Sequence, residues 1–174
     1  VFPNVANTAS DGTPGTYTDP GGRTVIINGK GHEINQLFVK GLMGALVCDQ
    51  VIWGYLSAGK LDGGTNRTDN DAGTLVDGKN YTQMEHYWDE GYGYLYGLEP
   101  DDLNASIEGS DVLVSKYLKK VDGSSLPGIA QEIYDAFKKG RAAIVAGAYD
   151  VRDEQAAIVS TKLSMIIGRK AADY

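Results

Sequence analysis

Five stretches of the sequence carry apolar residues at intervals of three and four. This spacing places the apolar side chains on one face of an α-helix, whereas a strand would alternate them. Glycine and proline separate the stretches and indicate where helices end. The sequence therefore predicts an all-α fold, a helical bundle of about five helices.

The predicted helices span about 32–58, 82–96, 101–120, 127–147 and 151–171. Residues 1–30 are rich in glycine, proline and polar residues and are expected to form an irregular N-terminal arm, with a short strand-like patch at 24–27. The bundle domain is expected to cover 31–174, with one long polar loop at 59–80. Thr82 and Glu85 have the spacing of a capping box, which predicts the start of the second helix.

Composition limits the classes of partner. The 174-residue chain has a formal net charge of -7, from 23 acidic and 16 basic residues. Nucleic acids and anionic membranes repel such a chain, so neither is expected as its main partner. No run of about 18 apolar residues is present, so the chain is not expected to be transmembrane. Cys48 is the only cysteine, which excludes an internal disulfide.

The segment 84–97 contains one of the two histidines among carboxylates and aromatic residues. On a helix, Asp89 and Glu90 follow His86 by three and four residues and share its face. Imidazole and carboxylate together suit iron, zinc or calcium, so a divalent metal ion is the predicted cofactor. Further ligands from later helices would complete the site, and the candidates are Glu132, Asp135, Asp153 and Glu154. The alternative is a polar network that holds helices together.

Other polar segments offer weaker candidates. His32-Glu33 could join a site at His86 or simply begin the first helix. Asp69-Asn70-Asp71 resembles the start of a calcium loop, but Asn80 stands where an EF-hand needs glutamate. A calcium site of another kind would use the loop aspartates, and turn formation is the alternative; these aspartates are Asp62, Asp69, Asp71 and Asp77.

Catalytic patterns are weak in this sequence. Cys48 lies in an apolar run, and no serine stands in a Gly-x-Ser-x-Gly motif. Arg141 and Arg152 are predicted to form salt bridges at helix ends. The rings of Tyr92, Tyr94 and Tyr96 could line a ligand groove or pack against neighbouring helices. The protein is therefore not expected to be an enzyme.

Several segments carry a family resemblance: DPGGRT (19–24), GHEINQLFVKGLMGAL (31–46), GKNYTQMEHYWDEGYGYLYG (78–97), GIAQEIYDAFKKGRAAI (128–144) and RDEQAAI (152–158). They resemble an uncharacterised helical family of bacterial exported proteins, many of them lipoproteins, known as a domain of unknown function. The resemblance implies export to the periplasm, the cell surface or the extracellular space. The chain begins at Val1, so we expect any export signal to have been removed. The family usually has a further N-terminal helical half, which implies a companion segment as a partner.

The chain is also similar to imelysin-like proteins, exported helical bundles linked to iron uptake that carry a Gly-x-His-x-x-Glu motif. Here His86 is present, Met84 replaces the glycine and Asp89 replaces the glutamate. This similarity implies metal or iron-related binding. The leading expectation is an exported, non-enzymatic helical domain that binds a metal ion or small ligand near His86. The alternative is a structural or interaction protein of the bacterial cell surface that assembles with its N-terminal half or with itself as a homo-oligomer.

Overall fold

The structure, a computed structural model, describes residues 14–97 and 114–172. Within these ranges it contains seven α-helices, two π-helical segments and one two-stranded sheet. The predicted all-α class is therefore confirmed. Contacts group the chain into two compact units, Val1–Met43 and Gly44–Tyr174. The boundary expected near residue 30 stays a prediction.

The first unit contains a hairpin and a short helix. Strands β1 (Gly15–Thr18) and β2 (Thr24–Ile27) pair antiparallel, with Tyr17 opposite Val25. The strand-like patch at 24–27 is confirmed, but its partner strand was not predicted. Residues 1–13 of the predicted arm lie outside the described residues. A segment of only four residues, such as β1, has too short a pattern to be predicted as a strand. It is stabilised by its hydrogen bonds to β2, which the sequence of β1 alone does not reveal. Helix α1 (Ile34–Leu42) follows and buries none of its residues.

The predicted first helix is helical, but much of it is not α-helical. Two π-helical segments, Met43–Cys48 and Gln50–Tyr55, follow α1 in the chain. The second ends where the Leu56 N–H donates to the Val51 carbonyl at 3.0 Å. Such hydrogen bonds, five residues apart, are rare, and apolar spacing does not distinguish them from the α-helical pattern.

One helical run among the described residues has the length and apolar composition that a membrane crossing requires. It covers Ile34–Tyr55, 22 residues. Core helices of soluble proteins meet the same criteria, and Val51 within the run is fully buried. The expectation that the chain does not cross a membrane therefore stays a prediction.

In the second unit, two short helices follow the π-helical segments in the chain, α2 (Ala58–Leu61) and α3 (Asn66–Asp71), and both overlap the predicted loop at 59–80. Asn70 holds this segment in place. Its Nδ2 donates to the Ile144 carbonyl at 2.8 Å and to the Tyr149 hydroxyl at 3.1 Å, and its Oδ1 accepts from Thr82 Oγ1 at 2.7 Å. The segment was expected to be a loop because contacts this distant in sequence leave no local pattern.

Four longer helices form the body of the unit: α4 (Gln83–Tyr96), α5 (Val114–Asp122), α6 (Ile129–Val145) and α7 (Tyr149–Ala172). Their predicted ranges agree within a few residues, except that 101–113 of the predicted third helix lie outside the described residues. The Asp122 carboxylate accepts from the Ala130 N–H at 3.0 Å and so satisfies a free donor at the start of α6. Gly147 has φ 67° and permits the tight turn between α6 and α7.

Apolar side chains from these helices form the core. Helices α6 and α7 make the most extensive contact among the described elements, and α4 packs against α6. The burial of such side chains stabilises each by about 1.5–3 kcal/mol. The largest apolar side chains with almost no exposure are Leu61, Met84, Trp88, Leu95, Leu118, Ile133, Ile144, Leu163 and Ile166.

Candidate functional site

The start of α4 fixes the positions of the candidate residues. Thr82 Oγ1 accepts from the Glu85 N–H at 3.3 Å, and Glu85 Oε2 accepts from the Thr82 N–H at 2.7 Å. This is the predicted capping box, and it satisfies two donors that the first turn would otherwise leave free. Helix α4 therefore begins at a defined residue, which sets the direction of His86, Asp89 and Glu90.

His86 lies on a half-exposed face of α4. Its Nε2 is 3.5 Å from Glu90 Oε1, and its ring stacks on Tyr81 with centroids 5.0 Å apart. Glu90 therefore shares the face of His86, as helical spacing predicts. Asp89 turns to a different partner, Arg141.

Two of the remaining predicted metal ligands, Glu132 and Asp153, lie in other ion pairs. Glu132 binds Lys162, and Asp153 accepts from Arg152 at 2.7 Å, while Glu154 is exposed on α7. Within residues 14–97 and 114–172, no group of three or more His, Cys, Asp or Glu side chains could hold a metal ion. The structure therefore does not bring the predicted ligand set together, and the metal site stays a prediction.

Three of the four loop aspartates have partners in the structure. Asp62 accepts two hydrogen bonds from Arg152, and Asp71 accepts one from the Tyr149 hydroxyl at 2.5 Å. Asp69 accepts from Thr65 at 2.6 Å. The contacts of Asp62 and Asp71 hold this segment against α7, whereas the contact of Asp69 is local. The calcium site and its alternative, turn formation, stay predictions.

Arg152 is a fully buried cation whose carboxylate partners are partly exposed. Its side chain is 0% exposed and contacts Asp62 through Nη1 at 2.7 Å and Nη2 at 3.1 Å. Its Nε donates to Asp153 at 2.8 Å, and Nη1 also contacts Met84 Sδ at 3.3 Å. The hydrogen bonds from Arg152 lower the pKa of the Asp62 carboxyl. Arg152 thus forms the predicted salt bridge, with a structural role.

Arg141 links α6 to α4 at the edge of a groove. Its Nη1 donates to Glu85 Oε1 at 2.7 Å, and its Nε donates to Asp89 Oδ1 at 3.0 Å. Burial raises the pKa of the Asp89 carboxyl, and the neighbouring guanidinium opposes that shift. The predicted salt bridge of Arg141 is present, but it lies within α6 rather than at its end.

The groove lies between α4 and α6 and has a volume of about 710 Å³. Most of its walls are aromatic, and polar groups stand at its edge. The Phe137 ring meets Trp88 edge-on at 5.9 Å and Tyr92 edge-on at 5.5 Å. The residues that line it are Trp88, Asp89, Tyr92, Tyr134, Phe137, Lys138, Arg141, Ala142 and Val145.

Trp88 lies at the base of the groove because α6 has no side chain at 140. A Cβ on Gly140 would lie 2.0 Å from the indole, so only glycine admits the ring here. The Trp88 Nε1–H donates to the Phe137 carbonyl at 3.0 Å, which satisfies its one buried polar atom. The indole is therefore held rigidly against the backbone of α6.

Tyr96 lies behind the aromatic wall. Its ring stacks on Tyr92 at 4.4 Å and meets Tyr134 edge-on at 6.3 Å. Its hydroxyl is buried and has no hydrogen-bond partner among the residues that the structure describes. Of the three tyrosines predicted to line a groove or pack, Tyr92 lines it, Tyr96 packs behind it, and Tyr94 contacts Tyr55.

Lys138 and Arg141 provide two cations in the lining of the groove, against one carboxylate from Asp89. The Lys138 ammonium lies 5.2 Å from the centre of the Tyr134 ring. Among the described residues it forms no salt bridge with a carboxylate. Sequence reasoning missed Lys138 and the α6 wall, although Tyr134, Lys138 and Arg141 recur at helical spacing and so share one face.

A family model described as "Domain of unknown function (DUF4856)" matches residues 1–174. No curated protein and no solved structure matches the chain.

Proposed function

The chain belongs to the family of the domain of unknown function DUF4856, and we propose that it is a non-enzymatic helical domain that binds a small molecule between α4 and α6. The observation that supports this proposal is the groove of about 710 Å³ with aromatic walls. Small-molecule sites are typically clefts of about 300–1,000 Å³ that are mostly apolar and carry a few polar groups.

The geometry of the walls favours a flat ligand. The Phe137 ring lies at 71° to the Trp88 ring and at 88° to the Tyr92 ring, so the lining offers aromatic surface in two orientations. Aromatic groups gain about 0.5–1.5 kcal/mol from such stacked or edge-on contacts beyond the burial of their area. A rigid floor at Trp88 lowers the entropy that binding would cost.

The lining favours binding rather than catalysis. Asp89 is the carboxylate of the groove, and Arg141 holds it at 3.0 Å. A general base must be free to take a proton from a substrate, and Arg141 already occupies the Asp89 Oδ1. We therefore assign Asp89 and Arg141 to the rigidity of the groove.

A neutral naphthylamine dye that fluoresces in apolar surroundings tests this proposal. Ala142 lines the groove and is exposed, so Ala142→Trp fills the space without disturbing the core. We expect it to weaken dye binding by about tenfold or more, which corresponds to about 1.4 kcal/mol. Lys139→Trp places the same ring on an exposed site beside the groove and should leave binding unchanged. Equal affinities for the wild type and Ala142→Trp would disprove the proposal.

Metal binding at His86 remains a second proposal, together with the imelysin-like, iron-related role. Its support is the 3.5 Å approach of His86 and Glu90 on α4. Calorimetric titration with zinc or ferrous iron tests it, with His86→Ala as the variant. His32→Ala is the matched control, since His32 is the other histidine. Binding that both variants retain would exclude His86 as a ligand.

Export as a bacterial lipoprotein-like protein is also proposed, on the resemblance of the segments 31–46 and 78–97. Fractionation of cells that express the natural gene tests it. Recovery in the envelope or the medium supports export, and recovery in the cytoplasm alone contradicts it.

Self-assembly is the remaining candidate, and one observation favours it. Helix α1 buries none of its residues and exposes a set of large apolar side chains, Ile34, Leu37, Phe38, Val39 and Leu42. Contiguous apolar patches of this kind often mark interaction surfaces. A second copy or a companion segment would cover the patch.

Sedimentation velocity over a range of concentrations tests self-assembly. A dimer that Phe38→Glu disrupts supports the proposal, with Asn35→Glu on the same helix as the control. A monomer at all concentrations would contradict it.

A further inference from the structure

We propose that the ligand of the α4–α6 groove is a flat apolar molecule that carries one carboxylate or sulfonate group, which pairs with Lys138. This inference rests on the proposed function and specifies the class of ligand. It derives from the charges of the groove, the partners of each charge and the position of Lys138 along α6.

The charge of the groove lining differs from that of the whole chain. Lys138 and Arg141 outnumber Asp89 there, although the chain has a formal net charge of -7. A cleft with this local excess attracts anions more strongly than the surrounding surface does. Glu85 also pairs with Arg141, so the preference for an anion comes from Lys138.

Arg141 and Lys138 differ in whether a carboxylate already pairs with them. Two carboxylates, those of Glu85 and Asp89, compensate the guanidinium of Arg141. Lys138 contacts the face of the Tyr134 ring at 5.2 Å and forms no salt bridge within the described residues. An ammonium forms compact charge-assisted hydrogen bonds with carboxylate or sulfonate oxygens. Lys138 is thus the group that an anionic ligand would engage.

The position of Lys138 sets the shape of the ligand. It follows Tyr134 by four residues and precedes Val145 by seven, which correspond to about 6 Å and about 10 Å along the helix. The anionic group would therefore lie nearer the Tyr134 end, with an apolar body of about 10 Å, two or three rings long, directed toward Ala142 and Val145. Val145 is 69% exposed and offers an apolar contact at that end.

Two dyes with the same anilinonaphthalene body, one with a sulfonate group and one without, test the inference by fluorescence titration. The wild type should bind the sulfonate about fivefold more tightly than the neutral dye, since an exposed ion pair contributes at most about 1 kcal/mol. Added salt should reduce that difference. Lys138→Gln should abolish it, while Lys139→Gln, on the adjacent exposed lysine, should leave it unchanged.

The outcomes separate this inference from the proposed function. If both dyes bind equally and Ala142→Trp weakens both, the groove binds ligands but the anionic class is wrong. Equal weakening of the two dyes by Lys138→Gln would also overturn the inference, because it would show a role in shape rather than charge. If neither dye binds the wild type, both proposals fail.

Discussion

Gly140 and Trp88 are in direct contact across the interface between α6 and α4. The space for a Cβ at 140 is occupied by the indole, whose nearest carbon would lie 2.0 Å from it. The contact fixes how closely the two helices approach, and it sets the depth of the groove above Trp88.

Gly140→Ala is expected to destabilise the protein because either the indole or α6 must move. Overpacking of a core typically costs about 1–3 kcal/mol, and the loss of the Trp88–Phe137 hydrogen bond adds about 1 kcal/mol. Urea denaturation measures the change. Gly168→Ala on α7 is the control, because nothing lies within 4 Å of its Cβ position. That change should raise stability by up to about 1 kcal/mol. Similar effects of the two substitutions would contradict the steric account.

Arg152→Met should lower the free energy of unfolding by about 2 kcal/mol, because Asp153 loses its cation and Asp62 keeps only Arg67, 4.0 Å away, while both carboxylates stay partly solvated. Methionine retains much of the apolar volume, so the loss reports mainly on the ion pairs. Chemical denaturation at pH 7 measures it. Lys162→Met, which removes the exposed pair with Glu132, is the control and should cost less than about 1 kcal/mol.

The same cluster predicts a pH dependence. Arg152 lowers the pKa of Asp62 in the folded state below its ordinary value of 3.8. The unfolded chain therefore takes up a proton first on acidification, and the stability contributed by Asp62 is lost as the pH falls below about 4. Denaturation between pH 3 and 7 should show this loss in the wild type and a smaller loss in Arg152→Met. If the stability of the two proteins fell equally with pH, the loss could not be assigned to the pairing of Asp62 with Arg152.

Cys48 is expected to react slowly with thiol reagents in the native protein. It is buried, and burial raises the pKa of its thiol to about 11. At pH 8 the reactive thiolate is therefore scarce and inaccessible, while urea-unfolded protein should react rapidly. Because the folded pKa exceeds the unfolded one, the contribution of Cys48 to stability is present below about pH 9 and falls as the pH rises toward 11. Fast modification of Cys48 at pH 8 without denaturant would contradict this prediction, because it would show that the segment Met43–Cys48 opens in the native protein.

Tyr96→Phe is expected to be neutral or to raise stability by up to about 1 kcal/mol. The substitution removes a hydroxyl that is buried without a partner in the described part of the chain, and it keeps the ring against Tyr92. Thermal unfolding measures the change. Tyr149→Phe is the contrasting control, since it deletes the hydroxyl that binds Asn70 and Asp71, and it should destabilise. A loss with Tyr96→Phe as large as that with Tyr149→Phe would show that the Tyr96 hydroxyl has a partner.

Local signals were predictable from the sequence. The capping box joins residues three apart, Thr82 and Glu85, so the start of α4 could be read directly. The pairing of His86 with Glu90 also follows from helical spacing. Both features depend on a single turn of helix, which the sequence encodes without help from the rest of the chain.

Long-range features were not predictable from the sequence. Arg152 and Asp62 are 90 residues apart, and Asn70 reaches a carbonyl 74 residues away. The groove likewise needs α4 and α6 side by side, and the contact of Trp88 with Phe137 spans 49 residues. Apolar spacing identifies each helix face but not which faces meet. Residue type alone therefore groups the candidate metal ligands, whereas the structure places most of them in separate ion pairs and leaves Glu154 exposed.

The π-helical segment at Gln50–Tyr55 has a consequence for how this family tolerates insertions and deletions. A turn with hydrogen bonds five residues apart holds one residue more than an α-helical turn. Deletion of one residue from Gln50–Tyr55 would convert this turn to an α-helical one. The side chains before and after it would keep their directions around the helix. The same deletion inside α6 would rotate every later side chain by about 100°. Relatives that are shorter by one residue at this point are therefore expected to retain the bundle.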